Sequence, residues 1–271
     1  MLSTLFKPTP IIDDMSKKWL FDTFIWCIEQ LDGDFFKQNS KLVLPNNTFY
    51  PGKSTSVDEM ANAIFSHTIN YAGMTSWPIK LVNIESFHQK PMVQLHFGEN
   101  LRGDNCAISF KTSDEGDAND KSLIEIPFHS SQLNQPQDLI AYLVQTLASI
   151  LITQNGAIAP GGKDTLAQTT DVVACFLGFG VIFANTAYQF KGGCGSCNNR
   201  NLNRKSALPE LETVYALAMF CVIKGVDIKQ IKKELKSHLF KSFSKAYKEI
   251  TLYLEKQESP EHSLMLASVK E

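Results

Sequence analysis

The sequence predicts an α+β protein with a strand-rich first half and a helical second half. Short alternating apolar and polar runs occur between residues 79 and 128, whereas long apolar stretches follow from about residue 136. The chain has 271 residues, of which 44% are hydrophobic and 20% charged, so it can bury a sizeable core. We therefore predict a mixed region with antiparallel strands over 1–132, a helical region over 133–257 and a mobile tail over 258–271.

The first half is predicted to contain two helices and several strands. Residues 15–31 have helical apolar spacing, and a second helix is predicted after a cap at Ser54 or Ser56, with Gly73 as its stop signal. KLVL, at the start of 41–52, is predicted to be a short strand that leads into turns. The remaining strands are predicted at 79–84, 92–98, 106–111 and 123–128, and alternation in two of them predicts an antiparallel sheet with one covered face.

The second half is predicted to be four helices joined by loops. Pro136 suits the start of a helix over 137–154, and a second helix is predicted from about 166 to 190. Pro209 begins a third helix that stops at Gly225. The last helix, roughly 227–256, has lysines opposite an apolar stripe, which predicts a solvated face over the core.

Composition and charge argue against several function classes. The net charge of −2, without a basic tract before the C-terminal region, argues against a general nucleic-acid binder. The N-terminus lacks a continuous apolar signal segment, and the apolar runs 139–152 and 172–190 are predicted to be buried helices, not membrane spans. The six cysteines are then expected to be free thiols, and the protein is expected to be cytoplasmic.

One apolar helix carries polar residues at a spacing that zinc peptidases use. In LVQTLASILI, Gln145, Thr146 and Ser149 stand at positions i, i+1 and i+4, where a zinc-peptidase helix presents His, Glu and His. On the residues alone, these side chains are predicted to be structural. Thr and Ser can donate to the carbonyl one turn back, and Gln can reach neighbouring backbone.

The blocks LVLPNNTFYPG, YAGMTSWPIKLV, TTDVVACFLGFGVIFANTAYQF and LNRKSALPELETVYALAMF resemble a family of uncharacterised bacterial proteins. They run from about residue 41 to about residue 221. Many members of that family carry a His-Glu-x-x-His zinc motif ahead of a second helix, which reads as an acidic residue, Thr-Asp, an apolar run and an FGFG-type block. The resemblance implies a zincin-like pair of helices, the first over 137–154 and the second entered through TLAQTTDVVACFLGFG.

This sequence departs from the family where the chemistry would reside. Carried over by position, the motif falls on Gln145, Thr146 and Ser149. On the second helix the acidic position before Thr-Asp falls near Ala167 or Gln168, and only Asp171 persists. Gln and Ser are poor zinc ligands, and Thr cannot serve as a general base for a metal-bound water. The resemblance thus implies a metallopeptidase-like pseudo-enzyme in which these four residues mark the former active site.

A pair of cysteines offers a separate candidate metal site. Cys194 and Cys197 form a C-x-x-C pair in a Gly-rich loop, which can hold zinc, form a reversible disulfide or remain inert. A structural zinc would need two more ligands, and the candidates are Cys106, Cys175, His129 or a second subunit. The nearby Arg200, Arg204 and Lys205 are predicted to lie in a solvated loop.

The predicted function is non-catalytic binding of a protein or peptide partner, with no catalytic residues, no nucleic acid and no membrane. One alternative is an active hydrolase with relocated catalytic residues or metal. Another is an interaction module organised by zinc at Cys194 and Cys197. The first hypothesis predicts a cleft lined by Gln145, Thr146 and Ser149.

Overall fold

A computed structural model describes residues 10–52, 54–110, 123–187 and 204–256. Its α-helices are α1 (Asp14–Gln30), α2 (Gly33–Gln38), α3 (Val57–Tyr71), α4 (Pro136–Asn155), α5 (Leu166–Ala174), α6 (Gly180–Thr186), α7 (Glu210–Ile223), α8 (Ile228–Glu234) and α9 (Ser237–Lys256). Its strands are β1 (Ile79–Asn83), β2 (Leu95–Phe97), β3 (Ile108–Phe110) and β4 (Ile124–Phe128). Helices and strands are mixed, as the α+β class predicts.

Side-chain caps fix the start of the first long helices. The Asp13 carboxylate accepts from the Ser16 amide at the start of α1, and the Ser56 hydroxyl accepts from the Glu59 amide at the start of α3. Both helices and the Ser56 cap agree with the sequence prediction. The strand predicted at KLVL is absent, because that segment contacts the second half of the chain and the Val43 amide donates to the Gly178 carbonyl at 2.9 Å.

The strands form two separate pairs. β1 and β4 are parallel, with Ile79 opposite Ile124, whereas β2 and β3 are antiparallel. The single antiparallel sheet of the prediction is therefore wrong in its pairing, since alternation identifies a covered face but not the neighbouring strand. The predicted strand-rich first half is also not observed. In the described chain up to residue 128, the three helices contain more residues than the four strands.

The predicted helix over 166–190 is interrupted. α5 ends at Ala174, a π-helical turn covers Cys175–Phe179, and α6 follows. The interruption lies at Gly178, whose φ of 99° is left-handed, and the carbonyl of Lys41 occupies the space a Cβ would need. In the described part of the chain, Gly162–Thr186 is long and apolar enough to cross a membrane, but 83% of its most apolar window is buried within the protein.

The core is one connected cluster with α7 at its centre. Residues Thr213–Cys221 of α7 are all buried, and α7 packs against α6, α9 and the π-helical turn. α9 buries Leu239, Phe243 and Ile250 and exposes its lysines, as predicted for a solvated face. An ion pair of 2.7 Å between Lys17 and Glu249 connects α1 to α9.

Candidate functional site

The packed helices α4 and α5 bring together two of the four positions that the resemblance marks. The Gln145 Nε2 of α4 donates to the Asp171 Oδ1 of α5 at 2.8 Å, and the same nitrogen donates to the Lys205 carbonyl at 3.0 Å. Asp171 is 0% exposed. A buried carboxylate requires hydrogen-bond donors and a compensating charge. The donors and charges around Asp171 therefore determine its chemistry.

The second oxygen of Asp171 is occupied by the segment that precedes α7. The amides of Ala207 and Leu208 donate to Oδ2 at 2.9 and 3.0 Å. The Arg204 Nη1 lies 3.0 Å from the same oxygen and forms an ion pair with it. Asp171 therefore already has four partners from within the chain.

Arg204 is buried, contrary to the predicted solvated loop. Its side chain is 2% exposed, its Nη2 donates to the Phe183 carbonyl at 3.0 Å, and its guanidinium lies 4.2 Å from the centroid of the Phe183 ring. Arginine suits this place because its planar head can pair with a carboxylate and stack on an aromatic ring at once. The positive charge beside Asp171 is therefore that of Arg204, a residue of the same chain.

The other two marked positions behave as ordinary helix residues. The Thr146 hydroxyl donates to the Tyr142 carbonyl one turn back at 2.9 Å, as the structural interpretation predicts. Ser149 is exposed, and its carbonyl accepts from the Thr153 hydroxyl at 2.8 Å. The structure thus joins Gln145 to Asp171 but gives Thr146 and Ser149 local roles.

Within the described ranges, no group of three or more His, Cys, Asp or Glu side chains is arranged to hold a metal ion. Cys194 and Cys197 lie outside the described residues. Of the candidate fellow ligands, Cys106 donates its thiol to the Leu101 carbonyl, and Cys175 is fully buried, which raises the pKa of its thiol. The His129 Nδ1 bonds to the hydroxyl and amide of Ser131.

Sequence reasoning missed Arg204 as the partner of Asp171. A signal was present: an aspartate inside the apolar stretch TTDVVACF cannot be buried without a cation or several donors. The sequence offered several cations, however, and their distance from Asp171 along the chain gave no way to choose among them.

A cavity of about 510 Å³ lies beside the N-terminal end of α4, the helix that carries Gln145. We call it the apolar cavity. It is bounded by the turn segment formed by 45–52 and Ser54, by α3 and by Pro136–Ile140. Tyr50, Met60, Ile64 and Ile140 are among its lining residues. Its size lies within the range of about 300–1,000 Å³ that is usual for ligand pockets. None of the four marked positions lines it.

Aromatic contacts fix one wall of the apolar cavity. The rings of Tyr50 and His67 meet edge to face at 6.1 Å, and Tyr71 stacks on His67 at 6.3 Å. The Tyr71 hydroxyl donates to the Phe49 carbonyl at 2.7 Å, and burial raises the pKa of the Tyr50 phenol. These contacts hold the turn segment against α3, so the cavity is formed before any partner binds.

Comparison of the chain with models of protein families, with curated proteins and with solved structures gave no match.

Proposed function

We propose that the chain is a catalytically inactive, metallopeptidase-like protein that acts by binding a protein or peptide partner. One observation supports the inactive state. Both carboxylate oxygens of Asp171 already have partners, namely Gln145, Arg204 and two backbone amides. Asp171 is the acidic residue that persists from the family's second helix, and a carboxylate that ligates zinc must direct an oxygen at the metal. Here the arginine supplies the positive charge that a metal would supply, and it does so as part of the folded chain.

The apolar cavity is the proposed binding site for one large apolar side chain of the partner. Its lining is largely apolar and aromatic, and the exposed carboxamides of Asn47 and Gln137 lie among the lining residues. Neither side chain hydrogen-bonds to another described residue, so both can pair with the backbone of a bound peptide. We propose this cavity, nearer the start of α4, as the binding site in place of the predicted cleft at Gln145, Thr146 and Ser149.

Metal analysis separates this proposal from its alternatives. We expect the purified protein to hold no zinc at the helix pair, so any zinc near one per chain should disappear in a Cys194→Ser/Cys197→Ser variant. Zinc that is lost in the variant would favour the zinc-organised interaction module. Zinc that persists in the variant would contradict the proposal and favour the relocated-metal hydrolase.

Peptide selection tests the binding site. A displayed library of random peptides is selected on the full chain, and the affinity of the selected peptides is measured by fluorescence polarisation. Ala63 lines the apolar cavity, so Ala63→Trp should fill it, whereas the exposed Ser66 on the same helix does not line it. Burial of a large apolar side chain contributes about 1.5–3 kcal/mol, so Ala63→Trp should weaken binding by about ten- to a hundredfold.

The matched Ser66→Trp variant should bind with unchanged affinity, and thermal unfolding verifies that both variants fold. The binding proposal fails if no peptide is selected, or if the selected peptides bind the folded Ala63→Trp variant as tightly as the original protein.

A further inference from the structure

A second cavity of about 460 Å³, which we call the polar cavity, lies where three segments meet. The segments are 32–41 with α2, 70–75 at the end of α3, and 100–105. No residue that lines the apolar cavity also lines this one. The polar cavity is therefore a separate site.

A buried arginine joins two of these segments. The Arg102 Nε donates to the Leu31 carbonyl and its Nη2 donates to the Asp32 carbonyl, both at 3.1 Å. The Arg102 amide donates to the Asp32 carboxylate at 3.1 Å, and the guanidinium lies 4.7 Å from the centroid of the Phe35 ring. Burial lowers the pKa of Arg102 to about 10, so it remains charged at neutral pH and holds the two segments together.

Two glycines allow the third segment to approach. Gly73 and Gly103 have left-handed φ values of 73° and 87°, and the Gly103 amide donates to the Gly73 carbonyl at 2.7 Å. A Cβ at either glycine would run into the Phe35 ring. The wall of the polar cavity thus depends on glycine at positions 73 and 103, next to the Phe35 ring.

The side chains around the polar cavity have unused hydrogen-bonding capacity. They include the carboxylates of Asp34 and Asp104 and the ammonium group of Lys41. They also include five carboxamides, those of Gln38, Asn39, Asn70, Asn100 and Asn105. None of these eight groups is bonded to another described residue, and seven of them are exposed, so they are available to a ligand.

The carboxylates, the carboxamides and the ammonium group around the polar cavity together favour one chemical class of ligand. A carboxamide offers a donor and an acceptor side by side, and a carboxylate accepts from two hydroxyl groups. Neighbouring hydroxyl groups on a sugar ring match this arrangement. Two exposed carboxylates against one ammonium group give little preference for a polyanion. We propose that the polar cavity binds a neutral saccharide.

Saturation-transfer NMR tests the proposal on the full chain. The probes are neutral hexoses, pentoses, N-acetylhexosamines and their disaccharides. We expect at least one of them to receive saturation, and we expect Asp104→Ala and Asn70→Ala each to weaken its binding about tenfold. Gln89→Ala removes an exposed carboxamide that does not line the cavity, so its binding should stay within about twofold of the original protein.

A steric pair of variants locates the site. Thr75 and Ser76 are adjacent and exposed, but of the two Thr75 alone lines the polar cavity. Thr75→Trp should abolish saccharide binding and Ser76→Trp should preserve it. The proposal is overturned if no saccharide in the panel receives saturation, or if the bound saccharide is held equally well by the folded Thr75→Trp variant. Ala63→Trp should leave saccharide binding unchanged. A failure of the saccharide proposal can therefore be distinguished from a failure of the peptide-binding proposal.

Discussion

Replacing Asp171 by asparagine should strongly destabilise the fold while leaving the shape of the side chain almost unchanged. The substitution removes the negative charge 3.0 Å from the Arg204 guanidinium, which is 2% exposed. Breaking a buried ion pair by removing one partner lowers the free energy of unfolding by about 3–5 kcal/mol, because the remaining charge stays buried.

Two features place the expected loss at the lower end, near 3 kcal/mol. The asparagine oxygen can still accept from the Ala207 or Leu208 amide. The half-buried Asp138 also interacts with Arg204, since the charges of Lys236 and Arg204 oppose the rise in the Asp138 pKa that burial causes. Alanine removes the acceptor as well, so Asp171→Ala should lose more than Asp171→Asn.

Urea unfolding followed by tryptophan fluorescence measures these changes. Asp164→Asn is the matched control, because Asp164 is exposed and should stay within about 0.5 kcal/mol of the original protein. The measurement is repeated with a metal chelator in the Cys194→Ser/Cys197→Ser background, where the chelator should change none of the values. A loss for Asp171→Asn below about 1 kcal/mol would refute the ion-pair argument, and destabilisation of the Cys194→Ser/Cys197→Ser protein by the chelator would refute the assigned role of Asp171.

Gly178→Ala should lower the free energy of unfolding by several kcal/mol, because its Cβ would run into the Lys41 carbonyl at a φ of 99°. Gly225→Ala, with open space around it, should lose only about 1 kcal/mol for its left-handed backbone. Burial raises the pKa of the Asp138 carboxyl. Its contribution to stability is therefore full below its unfolded pKa of about 3.9 and is lost as the pH rises through the higher folded pKa. Asp138→Asn should accordingly gain stability relative to wild type at pH 7 but not at pH 3, and urea midpoints at both pH values would check this. A thiol reagent at pH 8 should label three buried cysteines only after urea is added, and labelling of the folded protein at these sites, located by mass spectrometry, would contradict their burial. These cysteines, whose thiol pKa burial raises, are Cys27, Cys175 and Cys221.

Local signals in the sequence were reliable for four of the helices, but the predicted helix over 227–256 is divided into α8 (Ile228–Glu234) and α9 (Ser237–Lys256). α1, α3, α4 and α7 lie where apolar spacing, caps and prolines predict them, because these signals act within a few residues of one another. The break at Gly178 was not predicted from such signals. Glycines within an apolar run are compatible with a continuous helix, and here the break also involves the distant segment that contains Lys41 and Val43.

The candidate site was predictable in part. Gln145 and Asp171, two of the positions that the resemblance marks, are hydrogen-bonded to each other, and the bond from Thr146 to Tyr142 follows from helix geometry alone. The partner of Asp171 was not predictable. Arg204 is 33 positions further along the chain, and sequence spacing does not specify which cation reaches a buried carboxylate.

By itself, the sequence determined the mixture of helices and strands and the positions of α1, α3, α4 and α7, because these depend on periodicity, caps and prolines. Only the tertiary structure decided which strands pair, which arginine faces Asp171 and where the two cavities lie. Each of these depends on contacts between segments far apart in the chain, and those contacts form only when the whole core packs.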